Sequence, residues 1–79
     1  MLHILAGTSD QNIAFADLCS LLHSLEFDLR VRGRHHVFTR KGVDEILNLQ
    51  EKQGKAKAYQ VRQVREVILK YRLARLNDE

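Results

Sequence analysis

The chain has 79 residues, 44% of them hydrophobic, with one cysteine and a formal net charge of +3. That length suits one domain, residues 1–79, near the lower limit for burying its own core, and the lone cysteine excludes an internal disulfide. No Cys/His spacing resembles a zinc site, no apolar run reaches membrane-spanning length, and MLHILAG is too short and lacks the positive leader of a secretory signal, so a cytoplasmic protein without metal or cofactor is expected.

The first segment, LHILAGTSDQN, has room for one short helical turn before the Gly-Thr-Ser-Asp break, and residues 1–12 are expected to be loosely held, with only Leu2, Ile4 and Leu5 offering apolar contact. From Phe15 the pattern turns helical: Phe15, Leu18, Cys19, Leu22 and Leu25 follow the spacing of an amphipathic helix. Asp17 falls in the first turn, where the helix dipole favours a carboxylate. Cys19 reads as a small buried hydrophobe, His23 as a solvated histidine away from the stripe, and His3 as structural or solvated.

Phe27, Leu29 and Val31 then alternate with Asp28, Arg30 and Arg32, the period-two mark of a half-buried strand. Gly33-Arg34 supplies a tight reversal, and a second strand runs from about His35 to Arg40. Lys41-Gly42 marks another turn, Glu45 to Gln50 reads as a third strand with Leu47 and Leu49 inward, and 51–57 reads as a polar loop. A final helix is expected over roughly 58–76, with Val61, Val64, Val67, Ile68, Tyr71 and Ala74 on its packed side and Arg62, Arg65 and Arg72 opposite or at the border. The fold expected is α+β in the order α-β-β-β-α: a three-stranded antiparallel sheet with both helices on one face.

Charge is uneven along the chain. Residues 1–26 carry three acidic and no basic residues, whereas 27–79 hold all 13 basic residues against seven acidic ones. Such asymmetry points to a polyanionic partner, nucleic acid being the commonest in the cytoplasm; the plain alternative is a solvated basic surface.

Strand parity separates the adjacent histidines. With bulky Phe38 facing the helices, His36 lies on the core side and His35 faces outward. From the residues alone, His36 is a packed, hydrogen-bonded histidine and His35 a solvated, RNA-contacting one.

The element order, with Gly54-Lys55-Ala56-Lys57-Ala58 before the last helix, resembles the double-stranded RNA-binding domain, whose members read A-form RNA by shape. In that resemblance the lysines and the helix N-terminus hold phosphate. The window FDLRVRGRHHVF, Phe27 to Phe38, with QVRQVREVILKYRL downstream, resembles the HicA family of toxins from bacterial toxin–antitoxin pairs. The likeness covers about residues 15–73 and is most specific in the Gly-x-His-His-x-Phe spacing. It implies a ribosome-independent endoribonuclease that cleaves mRNA, with His35 as catalytic histidine, Gly33 as the supporting turn glycine, and a HicB-like antitoxin that covers the histidine. This chain departs from the family at Arg34, where serine is usual, at Glu26, where most members have glycine, and in lacking the family's Val-Pro-x-His strand.

One histidine suffices in principle, because RNA carries its own nucleophile, the 2′-hydroxyl. A histidine can shift the proton, and arginines can contact the phosphate oxygens in the transition state. Arg32 and Arg34 flank the turn, and Lys55, Lys57 and Arg62 are expected on the same basic face. Asp28 and Asp44 are unplaced candidates for a second catalytic group. The alternatives are a non-catalytic RNA-binding module that keeps the lysine cluster, and a protein-interaction domain.

Overall fold

A computed structural model describes residues 12–74; His3 and the turn expected before the Gly-Thr-Ser-Asp break lie outside the described residues. Helix α1 (Phe15–Ser24) precedes strands β1 (Asp28–Arg32), β2 (His35–Arg40) and β3 (Val43–Leu49). Two short strands, β4 (Glu51–Lys52) and β5 (Lys55–Ala56), lead into helix α2 (Ala58–Lys70). The sheet is antiparallel in the order β1-β2-β3, and β4 and β5 pair separately. The expected α-β-β-β-α order therefore holds. Among the described residues, no helix is long and apolar enough to cross a membrane.

Helix α1 buries Phe15, Leu18, Leu21 and Leu22, with Cys19 and Leu25 packed at the rim. No side chain caps its start. The chain entering it is instead held by the β4–β5 hairpin: Ala56 N donates to Ile13 O at 2.8 Å, and Phe15 N donates to Gly54 O at 2.9 Å. The helix ends in a Schellman motif, with Glu26 N donating to His23 O and Phe27 N to Leu22 O. That motif puts its closing residue in the left-handed region, and Glu26 sits there at φ 68°.

In the sheet, Phe38, Leu47 and Leu49 point at the helices and are fully buried. The register explains this: Phe38 lies opposite Leu47, and His36 opposite Leu49. Leu29 and Val31 share that face, opposite Phe38 and His36, yet they are 50% and 53% exposed. The half-buried character expected of β1 is thus confined to Phe27, which precedes it. The reason is position: β1 is an edge strand, and α2 packs on β3 at the other edge.

Residues 51–57, expected as a polar loop, form a hairpin instead. Gln53 (φ 53°) and Gly54 (φ 80°) are both left-handed between paired Lys52 and Lys55, the arrangement of a type I′ turn. Helix α2 also stops earlier than its apolar spacing suggests. A second Schellman motif closes it, Leu73 N donating to Ile68 O at 3.0 Å with Arg72 at φ 53°. Tyr71 and Ala74 still pack on the core from beyond the helix. Tyr71 also donates its hydroxyl proton to Glu45 Oε1 at 2.7 Å, and Lys70 Nζ lies 2.9 Å from Glu45 Oε2.

Replacing Glu26 with glycine relieves a non-glycine residue of its left-handed backbone. Glu26→Gly is expected to stabilise the fold by about 1 kcal/mol, read from urea unfolding. The bond from Lys70, and then that from Tyr71, holds the Glu45 carboxyl below the usual range. A folded pKa below the unfolded one adds stability above the unfolded value, and the gain fades as pH falls through the folded value. Glu45→Gln should therefore be less stable than wild type at neutral pH, with the gap closing on acidification; this exposed pair makes the difference small.

Candidate functional site around His35

The β1–β2 turn consists of Gly33 and Arg34, closing on the pair Arg32–His35. Gly33 has φ 58°, which suits glycine at the first turn position of a type II′ hairpin. Space does not dictate the glycine, since a Cβ there would meet nothing; the backbone conformation does. A two-residue turn fixes the register, and the register puts Arg32 and His35 side by side on the sheet face turned away from the helices. Arg30, Val37 and Asn48 form the next row of that face.

His35 is exposed but not unsupported. Its Nδ1 lies 3.0 Å from Asn48 Oδ1. Gln50 Nε2 approaches the same ring at 3.1 Å from Nε2 and 3.3 Å from Nδ1. An amide oxygen only accepts and an amide nitrogen only donates, so one tautomer satisfies both neighbours. In it, Nδ1–H donates to Asn48 and the Nε2 lone pair accepts from Gln50. The arrangement fixes the ring through Nδ1, as a base held by an orienting partner requires, and seats the Gln50 amide on the basic nitrogen.

Gln50 is itself anchored from beneath. Gln60, on the first turn of α2, is the buried polar residue of the described core, at 2% exposure. Oriented by its neighbours, its amide donates to Gln50 O and accepts from Gln50 N, each at 3.0 Å. The residue that leaves β3 thus keeps both backbone groups paired while its side chain reaches His35.

His36 differs in every respect. It points to the helix side, its ring edge-on to Phe15 at 5.0 Å between centroids. Its Nδ1 is buried without a hydrogen-bond partner, so the histidine is packed as parity predicts but lacks the expected bond at that atom. Arg34 lines a cleft on this side with His36, Glu51 and Gln53.

The remaining candidates are dispersed. Lys55 lies on β5 and donates to Asn12 Oδ1 at 3.0 Å. Lys57 is the residue at the entry to α2, and Arg62 lies on that helix, so neither belongs to the outer face of the three-stranded sheet. Asp28 is on the outer face but at the far end of β1, opposite Thr39. Asp44 lies beside Tyr71, whose hydroxyl accepts from its backbone N–H at 3.3 Å. Burial, and then the Glu51 carboxylate, push the Cys19 thiol up, against a nucleophilic role. Among the described residues, no group of three or more His, Cys, Asp or Glu side chains is placed to hold a metal.

Asn48 and Gln50 are the site residues that the sequence did not disclose. Outward parity on β3 was a signal for Asn48, but placing it beside His35 needs the register set by the Lys41-Gly42 turn. Comparison with protein-family models, with curated proteins and with solved structures gave no match.

Two measurements check this geometry. Long-range proton–nitrogen NMR should show His35 as the Nδ1–H tautomer, and Asn48→Ala should move it towards the Nε2–H form. Gln60→Leu should cost about 2–4 kcal/mol in urea unfolding, because it leaves two buried backbone groups of Gln50 unpaired.

Proposed function

We propose that this chain is a cytoplasmic endoribonuclease that cleaves mRNA, the toxin of a HicA-type pair, restrained by a HicB-like antitoxin. The observation that carries the proposal is His35: outward, paired to Asn48 through Nδ1, and beside Arg32 across the strand pair. The conformation at Glu26 adds support to the family likeness. Most members have glycine there, and φ 68° is a backbone state that favours glycine.

In the proposed reaction, His35 Nε2 takes the proton from a ribose 2′-hydroxyl. The oxygen attacks the adjacent phosphorus, the bond to the 5′ oxygen breaks, and that oxygen takes a proton from solvent water, while the imidazolium returns its own proton to solvent. The products are a 2′,3′-cyclic phosphate and a 5′-hydroxyl. Asn48 Oδ1 stabilises the imidazolium formed in the first step, and Arg32 is placed to contact a phosphate oxygen as charge builds. Gln50, which covers Nε2 in the free protein, must yield that nitrogen to the incoming hydroxyl.

The same contact favours a second reading. A Gln50 amide seated on the basic nitrogen suits a module that binds RNA without cutting it, with the dsRBD-like order and the Lys55–Lys57 segment supplying phosphate contacts. The two readings part in one experiment, RNA decay with purified wild type and His35→Ala. The nuclease predicts a loss of about 10²–10⁴-fold in the variant and wild-type products ending in a 2′,3′-cyclic phosphate. Equal rates, or cleavage by neither, overturn it. Salt-sensitive duplex binding without cleavage, weakened by Lys55→Ala or Lys57→Ala, is the result the binding module predicts.

A further inference from the structure

Strand β1 forms one edge of the three-stranded sheet, and its helix-side face exposes Leu29 and Val31 by about half. The turn that closes on Arg32 and His35 decides which backbone groups that edge offers. In a two-residue hairpin the pair flanking the turn exchanges both backbone bonds, and alternate pairs follow suit. Arg32, Arg30 and Asp28 therefore face β2 with their N–H and C=O groups, while those of Leu29 and Val31 point away from β2, along the edge that no described strand occupies. Apolar side chains and backbone groups without a partner among the described residues coincide on the same two residues, and such an edge is a template for another strand.

We propose that the strand it takes is β1 of a second copy of this chain, antiparallel about a two-fold axis at Arg30. The sequence Asp28-Leu29-Arg30-Val31-Arg32 is self-complementary in that register. Leu29 meets Val31 of the partner subunit, and these residues carry the outward backbone groups, so they exchange both bonds. On the helix side the leucines and valines of both copies form one apolar cluster. On the outer face Asp28 meets the partner's Arg32, and the same pair recurs across the axis. Only Arg30 opposes a like charge, the partner's Arg30, on a solvated face where salt screens the repulsion.

Other registers are worse. Centring the axis on Val31 sets Arg30 against the partner's Arg32. Centring it on Leu29 runs the ladder into the left-handed turn at Glu26, where extended pairing ends. The Arg30-centred dimer joins both sheets into one, with a His35 from each copy on a single broad basic face. The pairing itself does not depend on the RNA reading.

Sedimentation equilibrium of the full chain should show a reversible dimer. Asp28→Arg alone and Arg32→Asp alone should each weaken it on the order of tenfold to a hundredfold. The two together, which restore the opposite charges, should recover it. Each substitution is at an exposed position, and circular dichroism checks that the fold survives. Independently, Arg30→Cys in a Cys19→Ala background should oxidise to a cross-linked dimer, because the axial pair brings its Cα atoms to about 4.5 Å, within disulfide reach. A wild type that stays monomeric across the concentration range overturns the proposal, whatever other partner the edge takes. Failure of the double reversal to restore association, or of Arg30→Cys to cross-link, overturns the Arg30-centred register.

Discussion

The buried amide of Gln60 lets the chain leave the large sheet at Gln50 and resume at once as a smaller ladder. A strand that breaks off beneath a helix exposes an N–H and a C=O to an apolar interior, and leaving them unpaired costs more than a fold of this size readily spares. Gln60 supplies both partners from the first turn of α2. With that satisfied, β4 and β5 can form, and their hairpin takes the backbone of Ile13 and Phe15 as its further partners. The start of α1, the break after β3 and the start of α2 are thereby tied at one place in the fold.

The consequence for the site is direct. Gln50 is fixed by its backbone and spends its side chain on His35, while Asn48, two residues earlier on the same face, holds the other side of the ring. The imidazole is exposed to solvent yet oriented by two neighbours. His36, one residue on, is turned into the helix layer against Phe15. Adjacent identical side chains thus acquire different chemistry from the pleat alone.

Much of this was legible from residue spacing. The apolar stripe of α1, the reversal at Gly33-Arg34, the inward Leu47 and Leu49 and the opposite faces of His35 and His36 all follow from local periodicity. The misses share a physical cause. Both helices end on left-handed residues without a glycine, at Glu26 and Arg72, so α2 continues on paper past Lys70 because no stop signal is written there. The β4–β5 hairpin contains few apolar residues, and its existence rests on distant partners. Leu29 and Val31 have the alternation of a buried face but sit at an edge that the described helices do not cover.

The sequence by itself determined what neighbours along the chain control: which segments coil or extend, which side chains share a face, where glycine permits a reversal, and that the positive charge lies after Glu26. Tertiary structure alone decided which of those faces is covered, that Asn48 and Gln50 converge on His35 from later in the chain, and that Lys57 and Arg62 do not join the outer face of the three-stranded sheet. Those outcomes depend on strand register and on where a helix comes to rest. Both are settled by the simultaneous packing of Phe38, Leu47, Leu49, Val64 and Ile68 in one core, a cooperative balance that no local window contains.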